Sequence, residues 1–352
     1  HSHPELIKVL REQSERLVLT SRAFYSENLG AFLEKLTEIS GFEVGLPMNT
    51  GAEGVETAIK AARRWGYKSK KIPPNKAEII VADQNFHGRT TTIISFSSDK
   101  ESKDNFGPLT PGFKTVKFGC IDSLQSAITE NTAALLVEPI QGEAGIVIPD
   151  PSWLPKARKL CTENNVLLIL DEVQSGLGRT GKMFAYEHSS IRPDGLILGK
   201  ALGGGLLPVS CFLSSKEVMQ WFVPGSHGST FGGFSLAAAI GKRSIEVIEE
   251  EQLAQNSMKL GNYFLNQLKE ISSPIILEVR GKGLWIGVEI DAKIISGREL
   301  SKRLLTKGIL SKETHETVIR FAPPLVITKK EIDWALEIFK KVISEIETEQ
   351  LN

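Results

Sequence analysis

The chain predicts an α/β protein, a doubly wound and mainly parallel sheet followed by a smaller C-terminal α+β domain. Three observations lead there. Val166–Leu170 and Gly195–Leu198 are apolar at every position, which suits strands covered by helices on both faces. Runs of this kind alternate with helical segments through residues 78–213, as in a doubly wound sheet. From about Glu250 the pattern changes to helix, two strands, helix, strand and a final amphipathic helix.

In chain order, Glu5–Val18 reads as an amphipathic helix and Asn28–Ile39 as a second helical pattern. Leu46–Gly54 is a turn of small residues that opens a strong helix, Val55–Trp65. That helix is rich in alanine, with Glu near its start and Arg63-Arg64 at its end, matching the helix dipole. Exposed N–H groups and little side-chain bulk make such a start a seat for an anion, although a plain N-cap accounts for the same residues. Strands follow at Glu78–Ala82, Lys114–Phe118, Ala133–Val137, Val166–Leu170, Gly195–Leu198 and Val209–Leu213. Helices such as Ser123–Thr129 and Trp153–Glu163 lie between them, and Asp104–Phe113 is a long loop. After a helix from Leu236 come strands Ile275–Val279, Leu284–Ile290 and Val318–Phe321, then the closing helix Lys329–Ile346. The expected division is an N-terminal helical segment (1–45), a large domain (46–250) and a small domain (251–352).

Composition excludes several classes of partner. Lys plus Arg and Asp plus Glu both total 42 in 352 residues, so no bulk field attracts nucleic acid or an anionic membrane. Cys120, Cys161 and Cys211 form no CxxC, and with six scattered histidines they give no metal-site spacing. A reduced, cytoplasmic compartment without signal peptide or spanning helix is expected.

Ligands of parallel sheets gather at the carboxyl ends of the strands. Asp171 ends one apolar run there and Lys200 follows another. Lys200 lies between GLILG and ALGGGLLP, where desolvation lowers an amine's pKa and frees it as a nucleophile. A buried carboxylate needs a cationic partner, which a protonated pyridine nitrogen supplies. Singly, a strand-capping lysine and a turn aspartate are ordinary; together they match what pyridoxal phosphate chemistry requires. Three further stretches sit where a ligand would be. Phe86-His87-Gly88-Arg89 offers an aromatic face and a carboxylate grip, or a core Phe and a solvated Arg. Glu138–Gly145 places Glu138 and Glu143 just past an apolar run, and His227–Gly233 is a hydroxyl-rich loop. By contrast, Gly176–Gly181 matches GxGxxG but does not directly follow a strand. Met183 after Lys182 removes the magnesium-binding hydroxyl of a P-loop, so neither nucleotide motif is expected.

Over essentially its full length the chain resembles the class III (ornithine-type) pyridoxal phosphate aminotransferases. The stretches that carry this are Thr20–Tyr25 (TSRAFY), Leu46–Tyr67, Phe86–Thr90 (FHGRT), Phe106–Phe113 and Val137–Gly145 (VEPIQGEAG). Leu170–Gly181 (LDEVQSGLGRTG), Leu198–Ser210, His227–Gly233 (HGSTFGG) and Ile319–Ile327 complete the set. The resemblance implies fold type I, with a mainly parallel seven-stranded sheet, and a ping-pong transaminase. It implies that Lys200 binds the cofactor's aldehyde carbon and moves the substrate proton, while Asp171 pairs with the pyridinium nitrogen. It further implies Gln174 on the ring's phenolic oxygen, Gly51 and Ala52 on the phosphate, Phe86 stacked on the ring, and His87 and Glu138 beside it. Ser229 and Thr230 would serve the neighbouring subunit's phosphate, so a homodimer with a shared site is expected. Glu143 and Arg320 resemble a switch: paired, they admit a diamine; parted, they expose the arginine to a second carboxylate. Arg89 would hold the donor's α-carboxylate. The implied reaction moves the δ-amino group of ornithine to 2-oxoglutarate, giving glutamate-5-semialdehyde and glutamate within proline and arginine metabolism. Acetylornithine and 4-aminobutyrate are the alternative donors. Family members carry a further N-terminal segment whose tyrosines shape the pocket, and this sequence begins after it. A non-catalytic binding subunit is therefore the reading of another class.

Overall fold

The structure is a computed structural model that describes residues 1–21 and 23–350. Arg22 of the stretch Thr20–Tyr25, and Leu351 and Asn352 at the end of the expected small domain, lie outside the described residues.

Seven strands form the large sheet: β1 (Val44–Met48), β2 (Glu78–Ala82), β3 (Phe113–Val116), β4 (Thr132–Val137), β5 (Leu167–Asp171), β6 (Gly195–Leu198) and β7 (Ser210–Ser214). Their order is β1-β7-β6-β5-β4-β2-β3. The run from β3 to β6 is parallel, and β7 is antiparallel to both its neighbours. β4, β5 and β6 are buried at every position, because helices cover both faces. Alternate residues divide between the layers. Leu135, Leu168, Leu170 and Leu196 meet Phe32 and Leu36 of α2 (Glu27–Ser40), together with Trp153 and Ala157. Leu136, Ile169, Ile197 and Phe212 meet Val55, Ala58, Ile59 and Ala62 of α3 (Gly51–Lys68). Each such aliphatic side chain contributes about 1.5–3 kcal/mol by leaving water.

A second sheet is antiparallel, in the order β10-β11-β9-β8, from β8 (Ile276–Gly281), β9 (Ile286–Ile290), β10 (Lys312–Thr314) and β11 (Val318–Phe321). Phe264, Ile286, Val288, Phe321, Leu336 and Phe339 belong to its separate core. No described helix is long and apolar enough to cross a membrane, and no described group of His, Cys, Asp and Glu could hold a metal ion.

Three expectations need correction. The division at residue 45 falls inside β1, and Phe32 and Leu36 are fully buried in the core of the large sheet, so the N-terminal helices pack as part of that unit. The turn expected from Leu46 is partly strand, and α3 begins at Gly51 rather than Val55. Thr50 and Glu53 form a reciprocal capping box that starts the helix early. β10 is a three-residue edge strand that no pattern in the sequence announced.

Candidate active site

The register of the parallel strands sets the site. Asp171 is the last residue of β5 and lies opposite Ile197, so Lys200 comes three residues past that pairing. Val137 lies opposite Leu170, which puts Glu138 beside Asp171. The loop after β2 carries Phe86 and His87, and α3 starts just after β1. These ends enclose a cavity of ≈170 Å³ lined by Gly51, Ala52, Phe86, His87, Glu138, Asp171, Gln174 and Lys200. Every one of these was singled out from the sequence. Gly88 of the same Phe86–Arg89 stretch lines it too, and Val173, Ile140 and Ser175, which complete the wall, were not singled out; they follow the motif acids too closely to show a signal of their own.

Asp171 is buried at 5% exposure, and its Oδ1 accepts from the Val173 N–H at 3.0 Å. Its Oδ2 accepts from His87 Nδ1 at 2.7 Å. Burial alone would lower the His87 pKa, but the bond and charge of Asp171 outweigh it and the value is raised. Glu138 accepts from the N–H groups of Phe86 (3.1 Å) and Gly142 (3.3 Å), tying the ring-bearing loop to the loop of Glu143. Burial, with Asp171 close by, pushes its pKa to about 7. Lys200 is open to solvent through the mouth of the cavity, yet protein packed around its amine lowers the pKa despite the neighbouring acids. Its backbone has φ +43, a left-handed conformation uncommon outside glycine and of the kind that collects at functional sites.

Glu143 is the hub of a second cluster. Its Oε1 accepts from Arg320 Nη1 at 2.6 Å and Gln174 Nε2 at 2.7 Å, and its Oε2 from Lys312 Nζ at 3.0 Å. Burial opposes its charge, but these three donors hold its pKa near about 2. The Gln174 amide lies against Gly142, where a Cβ would come within 2.0 Å of Oε1 and 2.6 Å of the buried Trp285 ring, so a side chain there would force both to shift. The donor of Gln174 thus reaches Glu143, where the sequence pointed it at a ring oxygen. Because the folded pKa of Glu143 is depressed, its contribution to stability is present above about 4.5 and is lost as pH falls toward about 2. Melting curves over that window are expected to show an acid loss, at most on the order of 3 kcal/mol, that Glu143→Gln removes.

Arg89, Ser229 and Thr230 stand apart. Arg89 is exposed, its guanidinium carbon 5.6 Å from the Phe86 ring centre and a nitrogen 3.9 Å from Asp99. It lines an outer cavity of ≈1020 Å³ that shares Phe86, His87 and Gly88 with the inner one and is also lined by Glu143. Ser229 accepts from Asn49 Nδ2, and Thr230 lines a separate apolar groove with Phe24 and Tyr25. The glycine motif Gly176–Gly181 proves to be a docking turn. Arg179 within it is half-buried and donates to the carbonyls of Leu284 and Pro323 in the second unit, at 2.8 and 2.7 Å.

The site fits pyridoxal phosphate on three counts. The N–H groups of Glu53 and Gly54 are satisfied by Thr50, which leaves those of Gly51 and Ala52 at the dipole's positive end without an acceptor among the described residues. At Gly88 (φ +130) a Cβ would lie 2.8 Å from that of Ala52, so the wall closes on the helix start only because glycine is there. His87 Nε2 and Gln174 Oε1 are buried polar atoms with no partner among the described residues. A nucleophilic amine, a buried carboxylate and an anion seat in one cavity define a pyridoxal phosphate enzyme of fold type I.

Comparison with known proteins narrows the class. The family profile described as Aminotransferase class-III matches residues 1–343. The ornithine aminotransferase of Brevibacillus brevis is 54% identical over 343 residues, 97% of this chain and 85% of that protein. A structure of the Toxoplasma gondii ornithine aminotransferase, with partial occupancy of PLP at its active site, superposes with a TM-score of 0.97 at 42% identity, covering 100% of this chain and 84% of that one. The acetylornithine aminotransferase of Elizabethkingia anophelis gives 0.89 at 46% identity, covering 98% and 86%. The chain belongs to the class-III aminotransferases. It is a pyridoxal-phosphate-dependent enzyme.

Proposed function

We propose that this aminotransferase moves the δ-amino group of ornithine to 2-oxoglutarate. The observation that carries the reading is the Arg320–Glu143–Gln174 cluster beside the cavity of Lys200 and Asp171. When bound, the cofactor supplies an aldehyde that takes up the amino group and a ring that withdraws electrons from the neighbouring carbon. The protein's own residues do the rest. Lys200, its amine held below the usual pKa, anchors the cofactor and moves the proton at the amino-bearing carbon. Asp171, fixed by His87 and Val173, keeps a proton on the ring nitrogen. Gly51 and Ala52, which line the cavity, would hold the phosphate by their N–H groups, and Phe86 would cover the ring. Glu138 fixes the loops on either side.

Both substrates use this site in turn. With Glu143 on Arg320, the arginine is neutralised and a diamine enters with its distal amine toward Lys200, while Arg89 at the outer cavity takes the α-carboxylate. With Glu143 displaced, Arg320 binds the second carboxylate of 2-oxoglutarate by its planar fork. We read Ser229 and Thr230 as serving the cavity of a second subunit. In support, Thr230 borders a groove of ≈330 Å³ where Phe24 and Tyr25 are exposed, as at an uncovered homodimer interface.

A panel of ornithine, acetylornithine and 4-aminobutyrate with 2-oxoglutarate as acceptor tests the donor, and ornithine is expected to give the highest kcat/KM. In Glu143→Ala, ornithine use is expected to fall by more than tenfold, because Arg320 is left bare, while 2-oxoglutarate use is kept or improved. Equal responses of the two half-reactions overturn the switch. The second reading, acetylornithine as donor, rests on the 46% identity to the Elizabethkingia anophelis enzyme and is decided by the same panel.

A further inference from the structure

We infer that Lys312 is the second cation of this gate and helps to set the enzyme's preference for a dicarboxylate acceptor. Lys312 and Arg320 lie directly opposite one another on the antiparallel strands β10 and β11. Like charges in that relation repel, so the pairing is unfavourable unless an anion sits between them. Glu143 is that anion: Arg320 holds Oε1 at 2.6 Å and Lys312 holds Oε2 at 3.0 Å. The two cations differ in mobility. The Arg320 side chain is half-buried, at 17% exposure, whereas that of Lys312 is 59% exposed on a flexible stem at the end of an edge strand.

Two consequences follow for substrate choice. While Glu143 is in place, two cations share its one carboxylate, so the cluster keeps a net positive charge that attracts an approaching anion. Once Glu143 is displaced, the carbon chain lets the Lys312 ammonium stay near Arg320, and the distal carboxylate of the acceptor meets two cations instead of one. Both effects favour the dicarboxylate over a monocarboxylate. Lys312 acts through Glu143 and Arg320 and is a positioning and specificity residue. The inference rests on reading Glu143 and Arg320 as a switch, and its test separates the two.

Glutarate and butyrate, neither of which carries an amino or keto group, are titrated calorimetrically into the holoenzyme. In Lys312→Gln the glutarate-to-butyrate affinity ratio is expected to fall about three- to fivefold, the range of a partly exposed ion pair. Lys312→Arg is expected to restore it. In Glu143→Gln the ratio is expected to move the other way, because Arg320 is released. A merely structural role for Lys312 would weaken both ligands together; an unchanged ratio in Lys312→Gln, or no recovery in Lys312→Arg, overturns the inference. If Glu143→Gln shifts the ratio and Lys312→Gln does not, the switch stands and this inference alone falls. If neither shifts it, both fall.

Discussion

Replacing Lys200 by alanine or by glycine is expected to abolish turnover in both variants and yet to leave them unequal in stability, the glycine protein being the more stable. Turnover falls because the amine that anchors the cofactor and moves the proton is gone, a loss on the order of 10⁴-fold or more. The stability difference has another origin. Lys200 follows an extended Gly199 and enters a short 3₁₀ turn with φ +43. In that left-handed region a Cβ crowds the following carbonyl, at roughly 1–2 kcal/mol per residue. Alanine keeps the crowding and glycine relieves it. At an ordinary helical position the order is reversed, glycine being worse by roughly 0.5–1 kcal/mol. Cofactor-free protein isolates the backbone effect, since neither variant can bind the aldehyde covalently. Across a chain of this length the gap is about 1–2 °C in melting temperature, resolvable by calorimetry and clearer in a urea titration. If the alanine variant is as stable as the glycine one, the strain is not there. If either variant turns over within about a hundredfold of the parent, Lys200 is not the proton carrier.

The same region shows what the sequence could and could not disclose. β4, β5 and β6 were legible because burial on both faces leaves their interior positions apolar, and their ends therefore marked Glu138, Asp171 and Lys200. β1 was not legible. It contains Gly45 and Pro47, and it is tolerated as Val44-Gly45-Leu46-Pro47-Met48 because it lies at the sheet's edge. Contacts between distant residues were equally hidden. His87 was marked for its place beside Phe86, but its bond to Asp171 spans 84 residues and depends on β2 and β5 both flanking β4. Lys312 gave no sign, since its partner Glu143 is 169 residues away and its strand is three residues long. Arg179 sat inside a motif dismissed for nucleotides, and what it does (carry a charge into the seam between the two units) needed the carbonyls of Leu284 and Pro323 to be in place. Local pattern therefore located the chemistry, while topology supplied the groups that hold it in position.

Asp171 and His87 should prove a coupled pair, and stability against pH is the measurement that shows it. Asp171→Asn is expected to lower turnover by about 10²–10⁴-fold, because no negative charge remains on that wall to hold a proton on the ring nitrogen. The effect on the protein itself is separate. His87 is fully buried, and the bond and charge of Asp171, with the charge of Glu138, lift its pKa above the usual value against burial. A histidine raised in the fold stabilises below its unfolded pKa of about 6.5, and that contribution is lost as pH rises through the folded value. In Asp171→Ala only the charge of Glu138 still opposes burial, the largest influence on His87, so its pKa falls below its ordinary value and the sign reverses: stability is lost as pH falls below about 6.5. The double variant Asp171→Ala, His87→Phe assigns the histidine's share. Breaking a buried pair by taking one partner costs about 3–5 kcal/mol in all, and the part that follows the histidine's titration makes Asp171→Ala less stable at pH 6 than at pH 8 by about 1 kcal/mol at most. The double variant should lose most of that difference. If the single variant's melting curves keep the parent's slope between those two pH values, His87 is not held charged by Asp171, and the acid reaches its position without the histidine's help.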